Sequence, residues 1–241
     1  MSSFRKALEP AREAREFRIE ELLGRLNEVE ERNKPETLFT IGDTGLLQGH
    51  ARAAIVGARN ASELGLARAR KLARLLAGRG VVVVSGLAEG IDTAAHWAAI
   101  RAGGRTIGVL GSPLDVVFRQ ADAALRALME KEHLVVSQFP AGHTVLRSNF
   151  PRRNRTMALL THATVIIEAS DSSGSLSQGW EALRLGRQLF ILKSLADDPR
   201  LEWPAEMIKY GATVLSESGV EALFDALPPP EEPGWLERLA F

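Results

Sequence analysis

The chain of 241 residues has no cysteine, few aromatic residues and no net charge. The lack of cysteine excludes disulfides, thiolate nucleophiles and Cys-ligated metals, and it fits a protein that needs no oxidising compartment. The 30 basic and 30 acidic side chains cancel, which argues against a general duplex-DNA binder with a strongly basic field. No apolar run could cross a bilayer and the first residues lead into a charged segment, so the sequence predicts a cytoplasmic protein that contacts no membrane.

The apolar content, 45% of the residues, suffices for one sizeable core with appendages. Residues 5–32 alternate Glu and Arg around a narrow apolar stripe, which predicts an N-terminal charged amphipathic helix within residues 1–34 that docks or self-associates. A main domain is expected at residues 35–227. The run Pro228-Pro229-Pro230 then opens a C-terminal tail, residues 228–241.

Short, uniformly apolar runs alternate with helical patterns through the main domain. Apolar strands of this kind, separated by helices, are typical of a parallel sheet that is covered on both faces. The sequence therefore predicts an α/β fold with a doubly wound, mostly parallel, Rossmann-like sheet. The expected strands are Ala53–Val56, Val81–Val84, Thr106–Leu110, Leu134–Val136, Thr164–Ile167 and Leu189–Leu192, and the expected helices begin near Ser62, Ile91, Gln120, Arg153, Ser177 and Pro204.

The loop after the first of these strands runs from Gly57 to Ser62. Ligands of open parallel sheets bind beyond the carboxyl ends of the strands. Gly57 permits a close backbone approach, Ser62 can cap the next helix, and Arg59 adds a guanidinium beside the helix N-terminus. The loop fits a phosphate cradle or, equally, an ordinary strand-to-helix turn. It matches neither the Walker A nor the dinucleotide pattern, so ATP hydrolysis and hydride transfer have no support and no cofactor is expected.

The second and third glycine loops extend this pattern. Gly86 and Gly90 frame a backbone nest in which Ser85 is a further donor to an anion, and Gly111 ends the third strand. Asp92, in the first turn of the next helix, is interpreted as favouring the helix dipole rather than as a catalytic group. The histidines have no partners at metal-ligand spacing, so no metal site is predicted.

The most basic spot is the run Phe150-Pro151-Arg152-Arg153-Asn154-Arg155. Guanidinium groups suit phosphate oxygens, and Phe150 offers a face on which a base can stack, which indicates a site for a nucleotide or single-stranded nucleic acid. The competing interpretation is a solvated helix face or a salt-bridge hub.

These motifs resemble, in order and approximate spacing, those of the DprA/Smf family. The resemblance extends to Glu168-Ala169 followed by Ser173-Gly174-Ser175-Leu176, and covers roughly Leu38 to Leu215. It implies an extended Rossmann fold that binds single-stranded DNA, helps to load the recombinase RecA during natural transformation, and forms a homodimer. It also implies the residues that contact DNA phosphates. These are Arg59, Arg152, Arg153 and Arg155, with Asn154 alongside, and the expected site includes Ser173 and Gly174.

An enzymatic alternative comes from the related LOG-type nucleoside-monophosphate phosphoribohydrolases. In such an enzyme Arg153 and Glu181 would flank a ribose. The Pro-Gly-Gly-x-Gly-Thr loop of those enzymes is absent, because Gly174-Ser175-Leu176-Ser177-Gln178 stands in its place. A non-enzymatic binding protein is therefore the preferred interpretation, and a small-nucleotide sensor that uses the same pocket is left open.

Overall fold

The computed structural model describes residues 13–117, 122–216 and 218–229. The strands in these ranges are β1 (Arg15–Arg18), β2 (Thr37–Gly42), β3 (Arg52–Gly57), β4 (Val82–Ser85), β5 (Thr106–Leu110), β6 (Leu134–Ser137), β7 (Ala163–Glu168), β8 (Gln188–Leu192) and β9 (Thr213–Leu215). The α-helices are α1 (Ile19–Leu23), α2 (Glu28–Asn33), α3 (Glu63–Gly78), α4 (Ile91–Arg101), α5 (Ala123–Glu132), α6 (Asn149–Leu159), α7 (Ser175–Arg184), α8 (Lys193–Ala196), α9 (Trp203–Lys209) and α10 (Val220–Asp225), with a 3-10 helix at Thr44–Leu47.

One sheet contains all nine strands, in the order β1-β2-β6-β5-β4-β3-β7-β8-β9. The seven strands from β6 to β9 along this order are parallel, and β2 and β1 add antiparallel pairs at one edge. The predicted mostly parallel, doubly wound α/β fold is confirmed. The chain moves outward from β3 to β6 and then returns to β7 on the other side of β3. This is the switch point where open α/β sheets form their ligand crevice.

Both faces of the sheet are covered, as the uniformly apolar strands predict. On β3, Ala54 and Val56 pack into one buried cluster with side chains of α6 and α7, whereas Ala53 and Ile55 pack into another with α3 and α4. The alternation follows from the two-residue period of a strand. The described part of the chain contains no helix that is both long and apolar enough to cross a membrane.

The expected single helix over residues 5–32 is wrong where the structure describes it. Residues 15–33 form β1, α1 and α2 instead. Phe17 pairs with Leu38 of β2, and Gly24 ends α1 at φ 72°, a conformation that favours glycine. Ile19 and Leu22 are 0% and 3% exposed, so this part of the apolar stripe packs into the core of its own chain, while Val29 stays 45% exposed. Residues 1–12 of the predicted helix and 230–241 of the predicted tail lie outside the described residues.

The six predicted strands are confirmed with small shifts of their ends, whereas β1, β2 and β9 were not predicted. β2 falls between the predicted N-terminal helix and the first predicted strand, where the sequence analysis placed no element. It forms because it pairs with β6 on one side and β1 on the other, and this pairing is nonlocal. The predicted helix start at Gln120 falls outside the described residues.

Candidate nucleic-acid interface

A cleft of about 740 Å³ lies at the carboxyl ends of β3 and β7. Its walls are the loops that follow these two strands, the inner side of α6, the start of α7 and the segment from α8 to Leu201. A second hollow of about 430 Å³ adjoins it at the ends of β4 and β5, and both are lined by Arg59, Phe150 and Arg153. The larger cleft falls within the size range of small-molecule and cofactor pockets.

The three arginines of the basic run point in different directions because the run is part of α6. A helix turns by about 100° per residue, so neighbouring positions cannot share one face. Arg153 is 7% exposed and points inward, whereas Arg152 is exposed and Arg155 is partly exposed. The expectation of one cluster of three phosphate-binding arginines therefore does not fit this geometry.

Arg153 acts as an internal brace between the ends of two strands and α6. Its Nη1 donates to the carbonyl oxygen of Gly86 at 2.9 Å and to that of Val109 at 2.7 Å. Its Nε donates to Asn154 Oδ1 at 2.9 Å. Burial lowers the pKa of the Arg153 guanidinium, and the charge of Asp92 opposes that shift. Most of the hydrogen-bonding capacity of Arg153 is thus used within the protein.

Asp92 occupies the backbone nest that was expected to hold a ligand phosphate. The N–H group of Gly86 donates to Asp92 Oδ2 at 3.0 Å, and that of Ala88 does so at 3.4 Å. Burial raises the pKa of Asp92, and the nearby Arg153 guanidinium works against that rise. The anion of this nest is therefore a side chain of the protein itself.

Two further groups of the second loop also have internal roles. Ser85 is fully buried, and its hydroxyl donates to the Ile55 carbonyl oxygen at 2.6 Å, so the expectation that it contacts a ligand does not fit the structure. Gly90 has φ +86°, and a Cβ atom there would lie 2.3 Å from the carbonyl oxygen of Arg59. Gly90 thereby allows the first and second loops to touch.

The first loop keeps Arg59 available to a ligand. The start of α3 is already capped, because the Ser62 hydroxyl oxygen accepts from the Gly65 N–H at 3.0 Å. Glu168 Oε1 in turn accepts from the Ser62 N–H at 2.8 Å, and Oε2 accepts from the Ser62 hydroxyl at 2.5 Å. Gly57 packs closely against its surroundings, since a Cβ atom there would lie 2.9 Å from the Glu168 carbonyl oxygen. Arg59 itself is exposed, and its guanidinium carbon lies 5.6 Å from the centre of the Phe150 ring. This is a cation–π stack at the mouth of the cleft.

The start of α7 is the helix N-terminus in the cleft that remains open. The N–H groups of Gly174 and Ser175 have no hydrogen-bond partner among the described residues. The Gly174 carbonyl oxygen accepts from Asn154 Nδ2 at 3.2 Å, and the hydroxyls of Ser173 and Ser175 lie 2.8 Å apart. Free amides at the positive end of a helix dipole suit an anion. Among the predicted glycine-bearing sites, this one has the clearest capacity for a phosphate.

Gln178 is a cleft residue that the sequence analysis missed. It is fully buried and lines the cleft one turn into α7. Its Nε2 donates to Thr164 Oγ1 at 3.1 Å, while its Oε1 has no partner among the described residues. Its position after the open Gly174 turn was the available signal, because residues three and four apart on a helix share one face.

The remaining candidates lie outside the cleft lining. Arg155 forms a bidentate ion pair with Glu181, at 3.0 and 3.2 Å. Glu181 lines neither hollow. The Arg152 guanidinium carbon lies 5.3 Å from the centre of the Phe139 ring, away from Arg59. Gly111 lines the second hollow, where it contacts the edge of Phe150.

A clustered set of three or more potential metal ligands is absent from the described ranges.

The family model of DNA recombination-mediator protein A matches residues 21–227. The chain belongs to this family. It is 34% identical over 194 residues to the DNA processing protein DprA of Bacillus subtilis, which covers 80% of this chain and 65% of that protein. It is 39% identical over 184 residues to the protein Smf of Escherichia coli, with 76% and 49% covered.

Solved structures of family members share the fold. The X-ray structure of DNA processing protein A from Streptococcus pneumoniae superposes with a TM-score of 0.73 at 34% identity, covering 88% of this chain and 75% of that chain. DNA processing protein A from Helicobacter pylori, whose structure concerns its single-stranded DNA binding mode, gives a TM-score of 0.72 at 23% identity, covering 89% and 97%. The chain thus spans part of the length of the longer relatives and nearly all of the shorter one.

Proposed function

We propose that the chain binds single-stranded DNA in the cleft as a DNA-processing protein, without catalysing a reaction on it. The observation that carries this proposal is the exposed Arg59–Phe150 stack at the mouth of a cleft whose far wall is the open start of α7. Arg59 supplies a phosphate contact, Phe150 a face for a base, and the amides of Gly174 and Ser175 a second phosphate contact. A local site of this kind suits a chain without net charge.

The similarity to known proteins supports this choice of ligand. Two relatives that are 34% and 38% identical over the aligned residues are DNA processing proteins, and the Helicobacter pylori protein binds single-stranded DNA. We extend the proposal to a role in recombination or natural transformation with RecA as a candidate partner, as the family resemblance implies.

The hydrolase alternative receives no support from the position of Glu181. Its carboxylate accepts from Arg155, lies 3.7 Å from Arg184 Nε, and does not line the cleft beside Arg153. A general acid or base must reach the reacting group, directly or through one water. We therefore favour a binding protein, and include nucleoside monophosphates in the test below.

Replacing Arg59 with alanine should weaken binding of a labelled oligothymidine by roughly 1–3 kcal/mol, the range for a charge-assisted contact. The fold should be unaffected because the side chain is exposed. Fluorescence anisotropy at two salt concentrations measures the effect, and the slope of log K against log salt should fall by about 0.7, the value for one phosphate on a single strand.

Arg25→Ala is the matched control, because Arg25 is also exposed but lies outside the cleft. An equal loss of affinity in both variants would remove Arg59 from the site. Glu181→Gln should leave DNA affinity nearly unchanged. Release of free base from a nucleoside monophosphate by the wild type, abolished in Glu181→Gln, would instead establish the hydrolase.

We propose a homodimer on a different surface from the N-terminal stripe, because Ile19 and Leu22 of that stripe are buried in the core of the same chain. β9 is the last strand of the sheet within the described residues. Around it Ile208, Tyr210 and Val214 are 37%, 67% and 40% exposed, and such an apolar edge favours association. Light scattering should give twice the monomer mass at micromolar concentration, and Val214→Asp should reduce it to the monomer. A wild-type monomer would contradict the proposed homodimer. A dimer of the Val214→Asp variant would contradict its placement at this surface.

A further inference from the structure

A groove between α3 and α4 leads away from the cleft on the outer surface of the protein. Its volume is about 390 Å³ and Arg59 lines it together with Arg70, Trp97 and Arg101. Arg59 also lines the cleft and the second hollow, so the groove begins where the candidate DNA site ends.

The groove carries an excess of positive charge that the protein itself does not neutralise. Arg59, Arg70 and Arg101 are exposed, and none of them forms an ion pair within the described part of the chain. The single carboxylate in the lining is that of Glu89. By contrast, Arg79 and Arg155 each pair with a glutamate. Unpaired guanidinium groups in one concave surface suit a polyanion.

The groove also repeats the arginine-on-aromatic arrangement of the cleft mouth. The Arg101 guanidinium carbon lies 5.3 Å from the centre of the Trp97 ring. The ring is held in place because Trp97 Nε1 donates to Asp122 Oδ2 at 2.7 Å. Guanidinium planes and aromatic rings are the surfaces on which unpaired bases stack. One such stack therefore lies at each end of the groove, Arg59 on Phe150 and Arg101 on Trp97.

We propose that this groove is a second binding segment for the same DNA strand, which passes from the cleft over Arg59 and along α4 to Arg101. The inference rests on the proposed function. From the start of α4 to Arg101 the helix rises about 15 Å, at about 1.5 Å per residue. A strand that fills only the cleft does not reach Arg101, so the groove can hold nucleotides only of a longer strand. Binding should therefore depend on the groove only when the oligonucleotide is long.

The test compares oligothymidines of about 4 and about 16 nucleotides, which bracket the site sizes of single-strand-binding domains. The variant is Arg70→Ala/Arg101→Ala. The matched control is Arg25→Ala/Arg74→Ala, which removes the same charge from exposed positions outside the groove; Arg74 lies on α3 one turn after Arg70. We expect the groove variant to bind the long oligothymidine about tenfold more weakly than the control does, with a salt slope lower by about 1.4 for two phosphates. Both variants should bind the short one equally.

Three outcomes would overturn the inference. Equal affinity of the groove variant and the control for the long oligothymidine shows that only overall charge matters. A loss of the same size for the short and the long oligothymidine places the two arginines in the cleft site rather than in an extension of it. If the wild type binds neither length, the proposed function fails and the inference fails with it, whereas wild-type binding with an unaffected groove variant removes the inference alone.

Discussion

Replacing Arg153 with alanine is expected to lower the free energy of unfolding by roughly 3–5 kcal/mol, because it leaves buried hydrogen-bond acceptors without their donor and a buried carboxylate without a nearby positive charge. The guanidinium donates to two strand-end carbonyl groups, which would lose their donors. Asp92, which is 6% exposed, would lose the positive charge that offsets its burial. Urea denaturation at neutral pH measures the change.

Two variants make this result specific. Arg152→Ala changes the adjacent arginine, which is exposed, and should cost less than about 1 kcal/mol, the range of an exposed cation–π contact. Asp92→Asn in the Arg153→Ala background should recover part of the loss, because it removes the unpaired buried charge. If Arg153→Ala has the same free energy of unfolding as Arg152→Ala but binds DNA more weakly, Arg153 belongs to the DNA site and its role as an internal brace is wrong.

Replacing Gly90 with alanine should destabilise the protein by roughly 2–5 kcal/mol and also weaken DNA binding. About 1–2 kcal/mol comes from a non-glycine residue at positive φ, and about 1–3 kcal/mol from overpacking. The added Cβ would lie 2.3 Å from the Arg59 carbonyl oxygen. Because the contact is with backbone, relief requires a shift of the loop that carries Arg59.

Gly103→Ala is the matched control for this prediction. Gly103 has φ +75°, but a Cβ atom there has no neighbour within 4 Å. Gly103→Ala should therefore lower the free energy of unfolding only by the cost of a non-glycine residue at positive φ, and it should leave DNA affinity unchanged. The difference between the two variants in urea denaturation isolates the close approach of the loops. Equal stability and equal affinity of the two variants would mean that the Gly90 contact does not position Arg59.

The sequence predicted the fold better than it predicted the roles of the polar residues. The six central strands have uniformly apolar patterns, and such patterns depend on local residue type and burial. The N-terminal region was interpreted incorrectly because its mixed-charge pattern suits a long helix, whereas β1 forms by pairing with residues of β2 that lie 19 to 25 positions later in the chain. Gly24, which ends α1, was the local signal against that helix.

The sequence by itself determined the parallel α/β architecture and the placing of glycine loops and arginines beyond the strand ends. Strand periodicity and the chirality of the chain suffice for these features. Only the tertiary structure decided which polar groups remain free for a ligand. Glu168 comes to the first loop from the distant strand β7, Asp92 folds back onto the second loop from the start of α4, and each occupies amides of its loop, while the amides at the start of α7 stay open. A hydrogen bond between distant segments leaves no periodic signal in the sequence, and so Arg153 and Arg59 look alike until the fold buries one and exposes the other.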